Sequence, residues 1–308
     1  MTKFATIFFL GSLLYACTPA APEQTKEIQI ENNIERPFSD FELPDHVNFL
    51  GTEIQLKDID LRERYEREII TNAYYHSSTF FILKRSKRWF PLIEKILKEE
   101  GLPNDFKYLA VAESGLTQAR SYVGALGFWQ FMEGTAKDYG LTLNKDIDER
   151  KHVEKSTRAA CAYLKSAKEK LGSWILAAAA YNRGVNGIQN NLEAQYADNF
   201  FDLNLNTETS RYVFRIMALK EIIEHPEKYN FKINTYYNPY QIKEIRVDST
   251  ISDLSLWAKN EGFNKKILKK LNPWLISNQL RVEPGKSYVI LLPAKGANLN
   301  AYREDNGE

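Results

Sequence analysis

The chain has 308 residues, 44% hydrophobic and 26% charged, enough for one large domain with a small one beside it, or for two of moderate size. Its 41 basic and 40 acidic residues leave a formal net charge of +1, which argues against a nucleic-acid surface or an extended basic tail. Two cysteines, Cys17 and Cys161, are too few for a disulfide framework. The four histidines, His46, His76, His152 and His225, lack ligand spacing, so neither a metal nor another cofactor is expected.

The first residues have the form of a secretory signal: Lys3, an apolar run from Phe4 to Leu14, and the small residue Ala16 before Cys17. The apolar run is shorter than the roughly 20 residues that a bilayer-spanning helix needs. Leu14-Tyr15-Ala16-Cys17 resembles a bacterial lipobox, which implies a signal peptide over residues 1–16 and a lipid on Cys17. Plain cleavage near Ala16 is the alternative. Residues 17–50, with Pro19, Pro22, Pro37 and Pro44 among polar residues, read as a flexible tether. Cys161 is then expected to be a core residue.

Helical spacing begins at Asp58, with Leu61, Tyr65, Glu68, Ile69 and Asn72, and continues in a second segment around Thr79–Trp89. The basic run Lys84-Arg85-Ser86-Lys87-Arg88 falls there and reads as a solvated helix face. Pro91 is expected to open a further helix that Gly101 stops. Pro103 opens the next, where Phe106, Leu109, Ala110 and Glu113 fall at i, i+3, i+4 and i+7. Glu113 therefore projects from the apolar face, in the last turn before Gly115. Desolvation and the negative end of the helix dipole both disfavour a carboxylate there and raise its pKa, as a general acid requires. A partly exposed C-terminal glutamate is the plainer reading of the same spacing.

Apolar stripes at Ala160, Tyr163, Leu164, Ala167 and Leu171, and at Trp174, Ala177, Ala178 and Tyr181, predict two more helices ended by Gly172 and Gly184. A long helix is expected from Glu208 to Glu224, with Thr207 as its cap and Pro226 as its stop. After residue 240 the pattern becomes strand, helix, helix, strand: Ile242–Val247, Ile251–Asn260, Lys265–Leu271 and Tyr288–Leu292. That is a separate small domain.

Three blocks stand in order: Glu113-Ser114; Gly124-Ala125-Leu126-Gly127-Phe128-Trp129-Gln130; and Ala180-Tyr181-Asn182-Arg183-Gly184. Together they resemble the lytic transglycosylases of glycoside hydrolase family 23, and within them the membrane-bound lytic murein transglycosylase D group, over residues 90–225. Asp146-Ile147-Asp148-Glu149-Arg150 resembles that group's link before the next helix; from the residues alone these are caps and ion pairs. Phe128 and Arg183 depart from the usual leucine and alanine. Residues 242–294 resemble a LysM module, with Val247-Asp248 in place of the usual glycine-aspartate turn.

The resemblance implies a mainly α fold. A lysozyme-like helical catalytic domain would span residues 51–238, a βααβ LysM-like domain residues 240–295, and a tail residues 296–308. It implies Glu113 as sole catalytic acid and base, and Ser114, Gln130, Tyr181 and Asn182 as substrate-binding residues, the Tyr181 hydroxyl orienting Glu113. The implied partner is the glycan strand of peptidoglycan, cut with formation of a 1,6-anhydro product by a monomeric outer-membrane lipoprotein facing the periplasm. Ordinary glycosidases pair two carboxyl groups, and no second acid lies between Glu113 and Glu133, which agrees with one carboxyl serving both steps. Two alternatives remain: a hydrolytic muramidase on the same fold, which needs a second carboxylate from a distant segment, and a non-catalytic wall-binding lipoprotein. Ser114 as a helix-end cap and Tyr181 as ordinary core are the plainer readings of those two residues.

Overall fold

The computed structural model describes residues 40–297. The signal peptide expected over 1–16, the lipidation site Cys17 and most of the tether and tail lie outside those residues. The tether does not reach residue 50, however. Leu43, Val47, Phe49 and Leu50 are buried in the main core, and β1 (His46–Phe49) pairs antiparallel with β2 (Thr52–Gln55). Alternation in β1 places Val47 and Phe49 inward, a signal too short to stand out among the prolines of this region.

Helix α1 (Ile59–Tyr74) starts at Asp58, whose side chain accepts the amide of Leu61. Helix α2 (His76–Glu99) runs through Pro91 without a break, so the expected helix start at Pro91 is wrong. Ile82 and Leu83 before the proline, and Ile93, Ile96 and Leu97 after it, all enter one core. Their burial outweighs the roughly 3 kcal/mol that an internal proline costs.

The basic run on α2 is not a solvated face, because only Lys87 among its five residues is exposed. Lys84 donates to the Thr235 carbonyl and hydroxyl at 2.5 and 2.8 Å, and Arg88 donates to the Asn238 carbonyl at 2.8 Å and the Tyr240 hydroxyl at 2.9 Å. The Arg88 guanidinium also sits 4.2 Å above the Tyr240 ring. These cations clamp the connection that leads to the C-terminal domain. The signal was misread because a basic stripe facing a later segment is indistinguishable, in sequence, from one facing water.

Helix α3 (Phe106–Ser114) ends at Gly115, whose left-handed φ of 57° closes the helix. A short α4 (Glu133–Asp138) leads to a loop and then α5 (Val153–Leu171), capped C-terminally by Gly172. Next come α6 (Trp174–Arg183), α7 (Val185–Gln195) and α8 (Thr207–Glu224). Helix α8 packs against α1, α3 and α6, and α5 against α2 and α6. Cys161 is buried in this core, as expected, and its thiol is pushed up to about 12 by desolvation. The cap of α8 is Asn206, one residue before the expected Thr207, and its side chain accepts the amide of Thr209 at 2.9 Å.

The C-terminal domain pairs β3 (Ile242–Val247) antiparallel with β4 (Tyr288–Pro293), and encloses α9 (Leu254–Asn260) and α10 (Lys265–Leu271). It has its own core of Leu254, Leu268, Trp274, Leu275, Leu280, Ile290 and Leu292. One further member, Ile147, comes from the helical body. Among the described residues no helix is long and apolar enough to cross a membrane.

Replacing Asn206 by Ala is expected to cost about 1 kcal/mol in urea unfolding, whereas Thr207→Ala should cost less than about 0.5 kcal/mol. The reverse order would move the cap back to Thr207.

Candidate active site

Glu113 stands at the C-terminal end of α3, half-buried, on a helix whose residues 106–111 are all buried. Desolvation raises its carboxyl from 4.5 to about 7 against two weaker opposing effects: a hydrogen bond from the Tyr212 hydroxyl and the charge of Arg215. The charge of Glu208 pushes slightly upward. A carboxyl poised near neutrality can give a proton and take one back at the same pH.

The residue that holds this carboxyl is Tyr212 on α8, which sequence reasoning did not single out. Tyr212 is 3% exposed, and its phenol is pushed well up by burial and by Glu113, so it remains a donor. The expected orienting residue, Tyr181, does not do this. Its hydroxyl donates to the Trp129 carbonyl at 2.8 Å, although it lies close enough for the charge of Glu113 to add to the rise that burial imposes on it. With 17 tyrosines in the chain, helical spacing marks many as buried phenols needing a partner, and nothing local distinguishes Tyr212.

The other expected residues build the floor. Ser114 donates to the Phe128 carbonyl at 2.9 Å and to the Ala110 carbonyl at 3.2 Å, so it ties α3 to the loop spanning 119–131. Gln130 adopts a left-handed φ of 48°, strained for a non-glycine residue. Its amide nitrogen donates to the carbonyls of Ala119 and Gly127 at 2.9 and 2.8 Å, which closes the loop on itself. Trp129, fully buried, donates to Thr157 on α5 at 2.9 Å. Phe128 meets Trp89 edge-on, with ring centroids 5.0 Å apart.

Gly127 has a φ of 84°, and a Cβ there would collide with the carbonyl of Arg150. Asn182 donates to Glu208 at 3.2 Å and accepts from Thr209 at 2.9 Å, which joins the end of α6 to the start of α8. Thus Glu113, Ser114, Gln130 and Tyr181 gather around one loop, and Asn182 lies beside Glu208. Arg85 on α2 donates to the Gly115 carbonyl at 2.7 Å and so caps the helix that carries Glu113.

Behind Tyr212, α8 carries Arg211 and Arg215, which approach Glu68 of α1 at 2.5 and 3.8 Å. Glu68 is wholly buried, and its second carboxylate oxygen accepts no hydrogen bond. The pair of arginines is what permits a charge at that depth.

Two predictions follow from the raised Glu113 pKa. The folded value lies above the unfolded one, so the stability that protonated Glu113 contributes is complete below about 4.5 and lost as pH rises through about 7. A displacement of that size is on the order of 3 kcal/mol. Glu113→Gln should therefore match wild type in Tm near pH 4 and exceed it near pH 8, as differential scanning calorimetry can read. Tyr212→Phe removes the one hydrogen bond that lowers this pKa, so the carboxyl should titrate above 7. Carbon-13 NMR of labelled glutamate would detect the shift, and an unchanged midpoint would exclude the contact.

Residues 90–204 match the family model described as the transglycosylase SLT domain, and residues 243–296 match the soluble lytic transglycosylase C-terminal LysM-like domain. Membrane-bound lytic murein transglycosylase D of Escherichia coli strain K12 is 26% identical over 259 residues. The match covers 81% of this chain and 56% of that protein, so the chain spans little more than half the length of its curated relative. The corresponding protein of Escherichia coli O6:H1 gives the same figures. Among solved structures, the 70 kDa soluble lytic transglycosylase of Escherichia coli aligns with a TM-score of 0.41 and 18% identity, over 58% of this chain and 32% of that one. The mainly α class expected from the sequence holds, with a helical body followed by a small βααβ domain. The chain carries a transglycosylase SLT domain followed by a LysM-like domain of the soluble lytic transglycosylase C-terminal type.

Proposed function

We propose that this chain is a peptidoglycan lytic transglycosylase, cutting the β-1,4 bond between N-acetylmuramic acid and N-acetylglucosamine. The observation that carries the reading is the carboxyl of Glu113, inside the segment that matches the SLT domain, raised to about 7 and held by Tyr212 from the helix that follows that segment. Glu113 as an acid protonates the glycosidic oxygen while the bond to C1 of the muramic acid breaks. As a carboxylate it then removes the proton of that sugar's own C6 hydroxyl, whose oxygen bonds to C1. The product is a 1,6-anhydro ring, no water is consumed, and Glu113 ends protonated as it began. The Tyr212 hydrogen bond favours the carboxylate between the two steps. Ser114, Gln130, Tyr181 and Asn182 are proposed to border the glycan-binding cleft.

Glu113→Gln should fold and lose at least about a thousandfold in strand cleavage, since the amide has no transferable proton. Mass spectrometry of digested peptidoglycan reads the outcome. Activity within a few-fold of wild type would remove the single-acid mechanism.

One observation favours a second reading, hydrolysis on the same site. Glu208 is a carboxylate from a distant segment whose charge reaches Glu113. It is exposed, and Asn182 engages it. Anhydro product predominating in both wild type and Glu208→Gln would reject a water-activating role for Glu208, whereas reducing ends lost on that substitution would establish one.

The relative's name describes a membrane-bound protein, which supports a place in the cell envelope. We extend this to a signal over residues 1–16 and a lipid on Cys17, anchoring a monomer at the periplasmic face of the outer membrane. Cys17→Ser should move the protein from the membrane to the soluble periplasmic fraction. Stable anchoring takes more than one acyl chain, so the effect should be complete. Wild-type protein found soluble with an unmodified N-terminus would defeat the anchor and leave the enzymatic reading intact.

A further inference from the structure

The segment 142–152, between α4 and α5, is engaged on two sides. Toward the C-terminal domain, Asp146 is 4% exposed and surrounded by donors. Its carbonyl accepts the amides of Ile276 and Ser277 at 2.9 and 3.3 Å. One carboxylate oxygen accepts from the Ser277 hydroxyl and the Gln279 side chain, each at 3.1 Å. The other takes the Arg281 amide at 3.3 Å and its guanidinium at 3.1 Å. Ile147, 1% exposed, is a member of that domain's apolar core, and the Asp148 amide donates to the Trp274 carbonyl at 2.9 Å.

Toward the active site, Arg150 is held by both oxygens of Asp148, at 3.0 and 2.7 Å. It donates to the carbonyls of Gly124 and Phe131 at 3.2 and 3.4 Å, near the middle and at the end of the floor loop. The Lys151 carbonyl accepts the Gln118 side chain at 2.9 Å, and the Arg150 carbonyl closes against Gly127. Five consecutive residues thus join the core of one domain to the cation that pins the catalytic loop of the other. A buried carboxylate with this many donors has a single low-energy placement, since any shift leaves several buried polar groups unpaired.

We propose that the C-terminal domain positions the loop 119–131 of the active site through this strap, with Asp146 and Arg150 as positioning residues. The domain is then part of the scaffold of the site and not merely a carbohydrate anchor on a leash. For its catalytic consequence the proposal rests on the transglycosylase reading; for its structural content it does not.

The test uses the full chain with two substitutions that act at opposite ends of the strap. Asp146→Asn weakens the hold of the C-terminal domain, and Arg150→Lys keeps the charge but loses the planar guanidinium, whose Nε and Nη2 hold Asp148 while Nη1 reaches both loop carbonyls. Amide hydrogen exchange at Ala125, Leu126 and Gly127 should accelerate at least tenfold in both variants, with amides of α5 unchanged. Exchange in α9 and α10 should rise only in Asp146→Asn. On soluble glycan strands, kcat should fall at least fivefold with KM within twofold, because the loop orients the floor beside Glu113 while the rest of the cleft is intact. Loop exchange at the wild-type rate in Asp146→Asn overturns the proposal, whatever the activity. Faster loop exchange in a protein whose wild type cuts no glycan upholds the positioning and removes the transglycosylase reading instead.

Discussion

Ionising a carboxyl group among apolar side chains costs free energy unless a donor or a cation compensates it, and the balance struck at Glu113 organises the rest of the helical body. Helix α3 brings the carboxyl to the edge of the core, where burial holds it protonated up to about pH 7. Tyr212 and Arg215, both on α8, pull the other way. Without them the proton would not leave near neutrality, and with a stronger cation contact it would not stay. The packing of α8 against α3 therefore sets the chemistry of the site as well as its shape.

That packing has its own support. Helix α1, outside the residues matched to the SLT domain, places Glu68 beneath Arg211 and Arg215. The pairing offsets the positive charge behind the site and fixes the face of α8 that carries Tyr212. Without Glu68 beside it, Arg215 would draw the Glu113 proton away more strongly. The N-terminal helix is thus linked to the Glu113 carboxyl through Glu68 and the arginines of α8.

Next to Glu113, Ser114 ties α3 to a loop whose backbone is strained at Gln130 and which tolerates only glycine at position 127. Such conformations persist where the surroundings over-determine them. Here the surroundings are Ser114 from α3, Thr157 and Tyr181 from α5 and α6 through Trp129, Trp89 from α2 through Phe128, and Arg150 from the strap. Phe128, the departure from the usual leucine, gains an aromatic partner in Trp89, which also meets Tyr240 of the connection to the C-terminal domain.

Local signals carried much of this protein in the sequence itself. The periodicity before Gly115 located α3 and put Glu113 on its apolar face, the glycines at 172 and 184 marked two helix ends, and the alternation after residue 240 separated the small domain. Each of these is decided within one or two turns of chain, by capping, periodicity and backbone freedom. What tertiary structure decided were pairings across long separations. Tyr212 meets Glu113 from 99 residues away, Lys84 meets Thr235 from 151, and Asp146 meets Gln279 from 133. In sequence each of these side chains has the pattern of a surface or core residue like many others, because a polar group's partner is chosen by the packing of helices and not by its neighbours in the chain. For the same reason Pro91 could lie inside a helix and Tyr181 could pass the orienting role to a tyrosine on another helix: burial along the whole length of α2, and the approach of α8 to α3, outweigh the local preferences that the sequence displays.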